Sequence, residues 1–307
     1  MLLGGDLGGT KTLLALAEAD GDGIRIVRQQ RYASANYASF DALLADFLAD
    51  RPPVTAACFG VAGPTDGHSA QLTYLPWRLD ADELGRRFAI PRVTLANDFA
   101  AAARGLPLVA PEHVVTLHAG QPVAHAPRVI LGAGTGLGVA GLVWQTDRYH
   151  VIAGEGGHLG FAPQTAEQGE LWRQLLAANG RVTTEDIVSG PGRERIYAFF
   201  GGRPWTAAEI GAAALAASDP LATAAVRLWQ ECYGAFAGDL ALHWLARGGV
   251  YLAGGMAAKL LAGRDCSPLL DAFLAKREHR HLAEEMPLHL VTDEALGLLG
   301  SLALAAA

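Results

Sequence analysis

Three short stretches carry side chains able to do chemistry. In LANDFAAAARGL, a strand-like run, Val93-Thr94-Leu95-Ala96, ends at Asn97-Asp98 where a helix begins at Phe99. One reading makes the pair a helix cap. The other makes Asp98 a carboxylate that accepts a proton from a substrate hydroxyl while Asn97 hydrogen-bonds the same polyol. In GEGGHLGF, Glu155 and His158 are three residues apart, a spacing that places a metal pair on one helix face, but Gly156 and Gly157 argue against a helix. The stretch reads as a loop, either a polar surface turn or one that aims carboxylate and imidazole at sugar hydroxyls. Thr183-Thr184-Glu185-Asp186 has the form of a capping box, so Glu185 on its own reads as structural, and Ser189-Gly190-Pro191-Gly192 breaks the helical pattern with a turn.

A second set of residues suits phosphate. MLLGGDLGGTKT comes within one residue of a P-loop, yet a P-loop must feed a helix. Here Leu13 to Ala17 form a short apolar run, Asp20-Gly21-Asp22-Gly23 is a turn signal, and Ile24-Arg25-Ile26-Val27 resumes in strand character. This predicts a tight turn between antiparallel strands, with Gly8 and Gly9 letting backbone N–H groups approach a phosphate and Thr10 adding a hydroxyl. Lys11 then begins a strand and is no phosphate-gripping lysine. The pattern recurs at Gly134-Thr135 in LGAGTGLGVAGL, again opening a candidate hairpin; glycine-threonine turns are also common in α/β proteins at large. The glycines at 132, 134, 136 and 138 place the third one position early for GxGxxG, and a strand follows, which disfavours a dinucleotide fold. In GGVYLAGGM a strand runs into Gly254-Gly255 and then a helix, either an ordinary strand-to-helix turn or one against which adenine can lie flat.

The elements needed to position these residues are legible in outline. Strand-like runs at 2–5, 13–17, 24–28, 54–61 and 92–96 alternate with helical patterns near 38–50 and 80–88, an α/β lobe. A strand pair at 129–131 and 139–144 follows, and then helices near 165–179, 184–200, 206–216, 219–247 and 256–263. The chain of 307 residues suits two lobes better than one. With 24 Lys+Arg against 31 Asp+Glu and no basic run, nucleic acid is excluded as a partner. Cys58, Cys232 and Cys266 lack CxxC spacing, which suits a reducing compartment. The N-terminus has no signal-peptide pattern and the apolar end, 298–307, is too short to span a bilayer, so no membrane partner and a cytoplasmic location are expected.

Taken in order, DLGGTKT, LANDFAAAARGL, LGAGTGLGVAGL, GEGGHLGFAPQ, TTEDIVSGPG and VYLAGGM resemble the motifs of the non-ROK bacterial glucokinases, in the hexokinase and actin-like ATPase superfamily. The resemblance spans almost the whole chain. It implies an α/β, two-lobed actin-like ATPase (ribonuclease H-like) fold, with the active site in the cleft between a small domain (1–108 plus 294–307) and a larger one (109–293). It implies ATP-dependent phosphorylation of glucose at the 6-hydroxyl, with Asp98 as catalytic base and Asn97, Glu155, His158 and Glu185 as sugar-binding side chains. Asp6, Gly8, Gly9 and Thr10 match the first phosphate loop, Gly134 and Thr135 the second, and Gly254 and Gly255 the adenosine turn. The cofactor implied is ATP with Mg²⁺, Asp6 standing near the hydrated metal and no side chain binding it directly. A homodimer is implied as well. GGTK is more typical of the ROK branch, but that branch carries a CxCGxxGC zinc cluster after its glutamate-histidine motif, and LGFAPQTAEQGELWRQLL contains no cysteine, so no zinc is expected. Tyr74 stands where many relatives have asparagine, which leaves mannose, glucosamine and N-acetylglucosamine open as substrates. A sugar sensor without catalysis is the alternative from another class; Asp98 and the absence of an added helix-turn-helix argue for the enzyme.

Overall fold

The computed structural model describes residues 1–20, 23–50, 53–63, 65–72 and 75–307. Gly21 and Asp22, expected from the sequence to form a turn, and Tyr74, expected to bear on the choice of sugar, lie outside them. The chain divides into two compact units, Met1–Ala110 with Asp293–Ala307, and Pro111–Thr292.

In the first unit the chain runs β1 (Leu2–Leu7), β2 (Lys11–Asp20), β3 (Gly23–Ala33), α1 (Phe40–Phe47), β4 (Ala56–Val61), β5 (Ser69–Gln71), β6 (Arg78–Asp80), α2 (Ala81–Phe88), β7 (Arg92–Asn97) and α3 (Asp98–Gly105). Its main sheet has the order β3-β2-β1-β4-β7, antiparallel in the β1–β2–β3 meander and parallel from β1 through β4 to β7. Period-2 alternation sorts the side chains to two faces. Leu3, Leu7, Leu14 and Phe59 pack with Phe40, Leu44 and Trp77, whereas Leu13, Ala15 and Ala17 pack with Leu298 and Leu302 of the C-terminal helix. The helices have local causes. Ser39 caps α1 by accepting from Ala42 N–H at 3.2 Å, and Asp80 caps α2 by accepting from Glu83 N–H at 2.9 Å, with Arg86 and Arg87 in its last turn complementing the dipole.

The second unit holds β8 (Val114–His118), β9 (Arg128–Ala133), β10 (Leu137–Gln145), β11 (Arg148–Gly154), α4 (Ala166–Asn179), α5 (Gly190–Phe199), α6 (Ala207–Leu215), α7 (Pro220–Trp244), β12 (Val250–Ala253), α8 (Gly255–Leu261), α9 (Ser267–Leu274), α10 (Arg280–Glu285) and β13 (Leu288–Val291). The chain then closes on α11 (Leu296–Ala306), which belongs to the first unit. The sheet order is β11-β10-β9-β12-β13-β8. Its first five strands repeat the order and directions of the first unit's sheet: a three-strand antiparallel meander, then two parallel strands. The echo between Gly9-Thr10 and Gly134-Thr135 is therefore topological, each pair lying in the turn after the first strand of its antiparallel meander. Helix α7 supplies much of this unit's core, Trp229 and Tyr233 being fully buried and Tyr233 donating to Leu131 O at 3.1 Å. Asp219 caps it through Ala222 N–H at 2.8 Å, and Pro220 occupies its first position, where no N–H is needed.

One helix starts later than its pattern predicts. The run expected from 184 begins at Gly190, because Ser189 caps it by accepting from Gly192 N–H at 3.0 Å, with Pro191 in its first turn. SGPG thus opens the helix and does not break it. Thr183 to Asp186 close a separate turn, Thr183 donating through both N–H and Oγ1 to Asp186 Oδ2 at 2.9 and 2.8 Å. No helix of the described residues is long and apolar enough to cross a membrane.

Candidate active site

The turn between β1 and β2 is closed by Gly8 N–H donating to Lys11 O at 3.0 Å, one step beyond the Leu7–Thr12 pair. A methyl group on Gly8 would stand 3.0 Å from that same carbonyl, closer than ordinary contact, so a side chain there would push on the turn. The turn is held from outside by Ser34, just past the end of β3. Its hydroxyl donates to Gly8 O at 2.9 Å and lies 3.0 Å from the buried Thr12 Oγ1, and its N–H donates to Thr10 O at 3.2 Å. Ser34 carried no signal in the sequence, since its partners lie more than twenty residues away. Gly8, Gly9 and Thr10 remain open to solvent. Asp6, half-buried near the end of β1, has its carboxyl pushed up to about 6 by burial, against the pull of the Lys11 charge. A carboxylate beside a phosphate turn suits a hydrated divalent cation, so the residues present fit the metal that ATP brings.

At the end of β7 both readings of the Asn-Asp pair find physical grounds. Asn97 adopts extended backbone and its Oδ1 accepts from Phe99 N–H at 3.0 Å and Ala100 N–H at 3.1 Å, so it is the cap of α3. Capping fixes the amide and leaves its Nδ2 as a donor. Asp98 is the first residue of α3, half-buried, with Oδ1 accepting from Phe99 N–H at 2.8 Å. A carboxylate there is favoured by the helix dipole and held in orientation, which a positioned base needs.

The second unit brings three of the predicted segments together around Glu185. Its Oε2 accepts from Leu137 N–H at 2.7 Å, at the close of the Gly134–Gly136 turn, and its own N–H donates to Gly157 O at 2.9 Å in the GEGGH loop. Its role is therefore not that of a helix cap. Gly136, which sequence reasoning passed over, is the contact point: a methyl group on it would stand 2.7 Å from Glu185 Oε2. The GEGGH segment is a loop with one tight turn, Gly156–His158, closed by His158 N–H donating to Glu155 O at 3.0 Å. Gly156 and Gly157 lie against Val139 and Leu137 of β10, where a methyl group on Gly156 would meet Val139 Cβ at 2.7 Å. The glycines press the loop onto the sheet, and Glu155 and His158 stay exposed.

The Gly134–Gly136 turn also meets the start of α5 and the Gly254-Gly255 segment. Gly134 N–H donates to Gly136 O and Gly190 N–H donates to Gly134 O, both at 2.8 Å, which ties the start of α5 to the turn. Gly254 takes φ +99°, and a methyl group on it would stand 2.7 Å from Ala133 O. Gly255 begins α8 with open space before its Cα, and the Met256 methyl lies 3.1 Å from where a Cβ on Gly190 would be. Buried Gly190 and exposed Gly254 thus flank the Ala133-Gly134 backbone. Thr135 is exposed beside it.

The chain as a whole has close parallels among known proteins. A family model described as Glucokinase matches residues 3–307. The glucokinase of Nostoc punctiforme is 37% identical over 332 residues, covering 98% of this chain and 97% of that protein. The glucokinase of Klebsiella pneumoniae strain 342 is 34% identical, covering 97% of this chain and 94% of its own. Among solved structures, a glucokinase from an Antarctic psychrotroph superimposes with a TM-score of 0.85 at 30% identity, over 99% of this chain and 98% of that one. A ROK family glucokinase from Streptomyces griseus, solved with glucose and AMPPNP, shares the fold at a TM-score of 0.66 and 22% identity, over 99% of both chains. Motifs, topology and near-complete coverage converge on one conclusion: the chain belongs to the Glucokinase family.

Proposed function

We propose that this chain transfers the γ-phosphoryl group of ATP to the 6-hydroxyl of glucose, giving glucose 6-phosphate and ADP. The observation that carries the reading is Asp98, held at the start of α3 behind a strand end whose cap, Asn97, keeps an amide donor for the same sugar. The sugar O6 attacks the γ-phosphorus, its proton passes to an Asp98 carboxylate oxygen, and the bond to the β,γ-bridging oxygen breaks with its electrons leaving on ADP. Such transfers are governed by positioning and by offsetting charge on the phosphoryl oxygens. Asp98 orients the hydroxyl and accepts the proton late. Glu155, His158 and Glu185 hydrogen-bond the remaining hydroxyls. The backbone N–H groups of Gly9, Thr10 and Thr135 and the two threonine hydroxyls receive phosphate oxygens, Gly8 and Gly134, whose own N–H groups close the turns, let the phosphates approach, and Gly254 and Gly255 let the adenosine lie close to the backbone. Magnesium, when bound with ATP, supplies charge neutralisation, and Asp6 meets its water shell.

An ADP-release assay over glucose, mannose, glucosamine and N-acetylglucosamine tests this. Glucose should give the highest kcat/KM. A better hexose would overturn the specificity, and sugar binding without turnover on any hexose would favour a sensor. We further take the protein to act in the cytoplasm as a homodimer, which the family resemblance supports; a monomeric mass by light scattering at micromolar protein would refute the dimer.

A further inference from the structure

The face of β1 that carries Asp6 is covered by α11. Gly4 and Asp6, two apart on the strand, meet Leu302 and Gly297, five apart on the helix: a methyl group on Gly4 would stand 2.6 Å from Leu302 Cγ, and one on Gly297 would stand 2.9 Å from Asp6 Cγ and 3.1 and 3.2 Å from its two carboxylate oxygens. Five helical residues rise about 7.5 Å and two strand residues about 6.8 Å, so the two contacts run in step along helix and strand. The register is pinned between them by Ser301, fully buried. Its hydroxyl lies 2.7 Å from Gly5 O and 3.0 Å from Gly297 O, either of which can take its proton, and it accepts from Gly60 N–H at 3.2 Å. One side chain therefore ties the residue before Asp6 to the helical turn that begins at Gly297.

We propose that Gly297 is a positioning residue for Asp6: its missing side chain leaves the carboxylate its place against the first turn of α11, and Ser301 holds that turn at the required distance. The inference rests on the reading of Asp6 as the carboxylate that meets the water shell of ATP-bound magnesium. A side chain at 297 has nowhere to go without displacing the carboxylate, because Gly297 is buried and Ser301 holds its carbonyl. In an ordinary helix glycine to alanine is stabilising. Here the sign should depend on Asp6.

Gly297→Ala, Asp6→Asn, Asp6→Ala and the double variant Asp6→Ala/Gly297→Ala separate the possibilities. The first readout is calorimetric affinity for ADP with and without Mg²⁺. Gly297→Ala should lose about fivefold or more of the gain that magnesium gives, with metal-free ADP affinity and glucose affinity within about twofold of the parent. The second readout is the urea midpoint, which Gly297→Ala should lower when Asp6 is present and leave unchanged or raise in the Asp6→Ala background. A Gly297→Ala protein that keeps the magnesium gain lost by Asp6→Asn overturns the positioning role and leaves the reading of Asp6 standing. An Asp6→Asn protein that keeps the gain removes the reading of Asp6 and this inference with it. Equal stability changes in the two backgrounds refute the contact itself, and that measurement needs no active enzyme.

Discussion

Ser34→Ala isolates the bracing of the first phosphate turn. The Ser34 hydroxyl stands between two oxygens, 2.9 Å from Gly8 O and 3.0 Å from Thr12 Oγ1. With one proton each, the hydroxyls can satisfy both contacts in one direction: Thr12 donates to Ser34 and Ser34 donates to Gly8. Removing Ser34 Oγ strands the Thr12 hydroxyl, which is fully buried, while the Gly8 carbonyl in the half-exposed turn can find water. The loss is then one buried unsatisfied hydroxyl plus part of one neutral hydrogen bond, about 2 kcal/mol in sum. Released from its brace, the turn must be reordered by nucleotide, so the KM for ATP should rise several-fold with the KM for glucose unchanged. Urea unfolding of Ser34→Ala, Thr12→Val and the double variant, with steady-state kinetics on each, reads both effects. The double variant should recover most of the lost stability, since replacing both partners with apolar groups leaves nothing stranded. It should not recover the KM, because Gly8 O is still unheld. A Ser34→Ala protein with the parental urea midpoint, or a double variant no more stable than Ser34→Ala, refutes the argument.

Asp98→Asn should keep glucose affinity and lose roughly two or more orders of magnitude in kcat, the usual range for a general base; near-parental turnover in the folded variant would remove Asp98 from the mechanism. Gly136→Ala should push Glu185 off the Leu137 N–H and, on the proposed reading, raise the KM for both glucose and ATP, since Glu185 joins the Gly134–Gly136 turn to the GEGGH loop; an unchanged glucose KM would separate the two sites. Asp6 predicts a pH effect of definite sign. Its carboxyl sits at about 6 against an ordinary value of 3.8, so the native state holds the proton more tightly than the unfolded chain. The native state therefore loses stability as pH rises from about 4 to 6, and the penalty persists above that range. Asp6→Asn should remove this penalty, gaining on the order of 1–2 kcal/mol at pH 7 with no gain at pH 4, once partial solvent access is allowed for; equal gains at both pH values by urea unfolding would contradict it.

The elements that position these groups were legible wherever local chemistry sufficed. The hairpin after DLGGTKT could be read because an apolar run and a turn signal stood where a P-loop needs a helix, and β1, β2 and β3 form that meander. β11 and β13 escaped notice. β11 reads RYHVIAG with most of its residues exposed along a sheet edge, so its alternation carries little hydrophobic signal. β13 is four residues long and draws its stability from pairing with β12 on one side and β8 on the other, both distant in the chain. The misplaced start of α5 has the same origin. Thr183 to Asp186 and Ser189 to Gly192 are both helix-start patterns, and only the tertiary link of Glu185 to Leu137 and Gly157 shows which of them is used. Ser34, Gly136 and Gly297 could not be found at all from spacing, since each matters through a residue far along the chain.

The repeated sheet explains why one threonine-glycine turn occurs twice with different neighbours. In both units the turn joins the first two strands of an antiparallel meander that continues into two parallel strands, and the second unit's sheet adds β8 at its far edge. The first turn spans Gly8 to Lys11 and the second Gly134 to Gly136, so the two are not copies at the atomic level. Each is steadied by an oxygen from elsewhere in its own unit, the Ser34 hydroxyl in one and the Glu185 carboxylate in the other. The difference has a chemical consequence. A neutral hydroxyl can brace a turn without changing its charge, whereas Glu185 places a carboxylate beside a turn read as phosphate-binding, which is tolerable only if that carboxylate is occupied by hydrogen-bond donors. Leu137 N–H supplies one donor, and sugar hydroxyls would supply the rest. Glucose binding should therefore improve nucleotide affinity through Glu185, a coupling that Glu185→Gln, which carries no charge, should weaken, measured as ADP affinity with and without saturating glucose. Coupling of parental size in Glu185→Gln would show that the carboxylate is not the link.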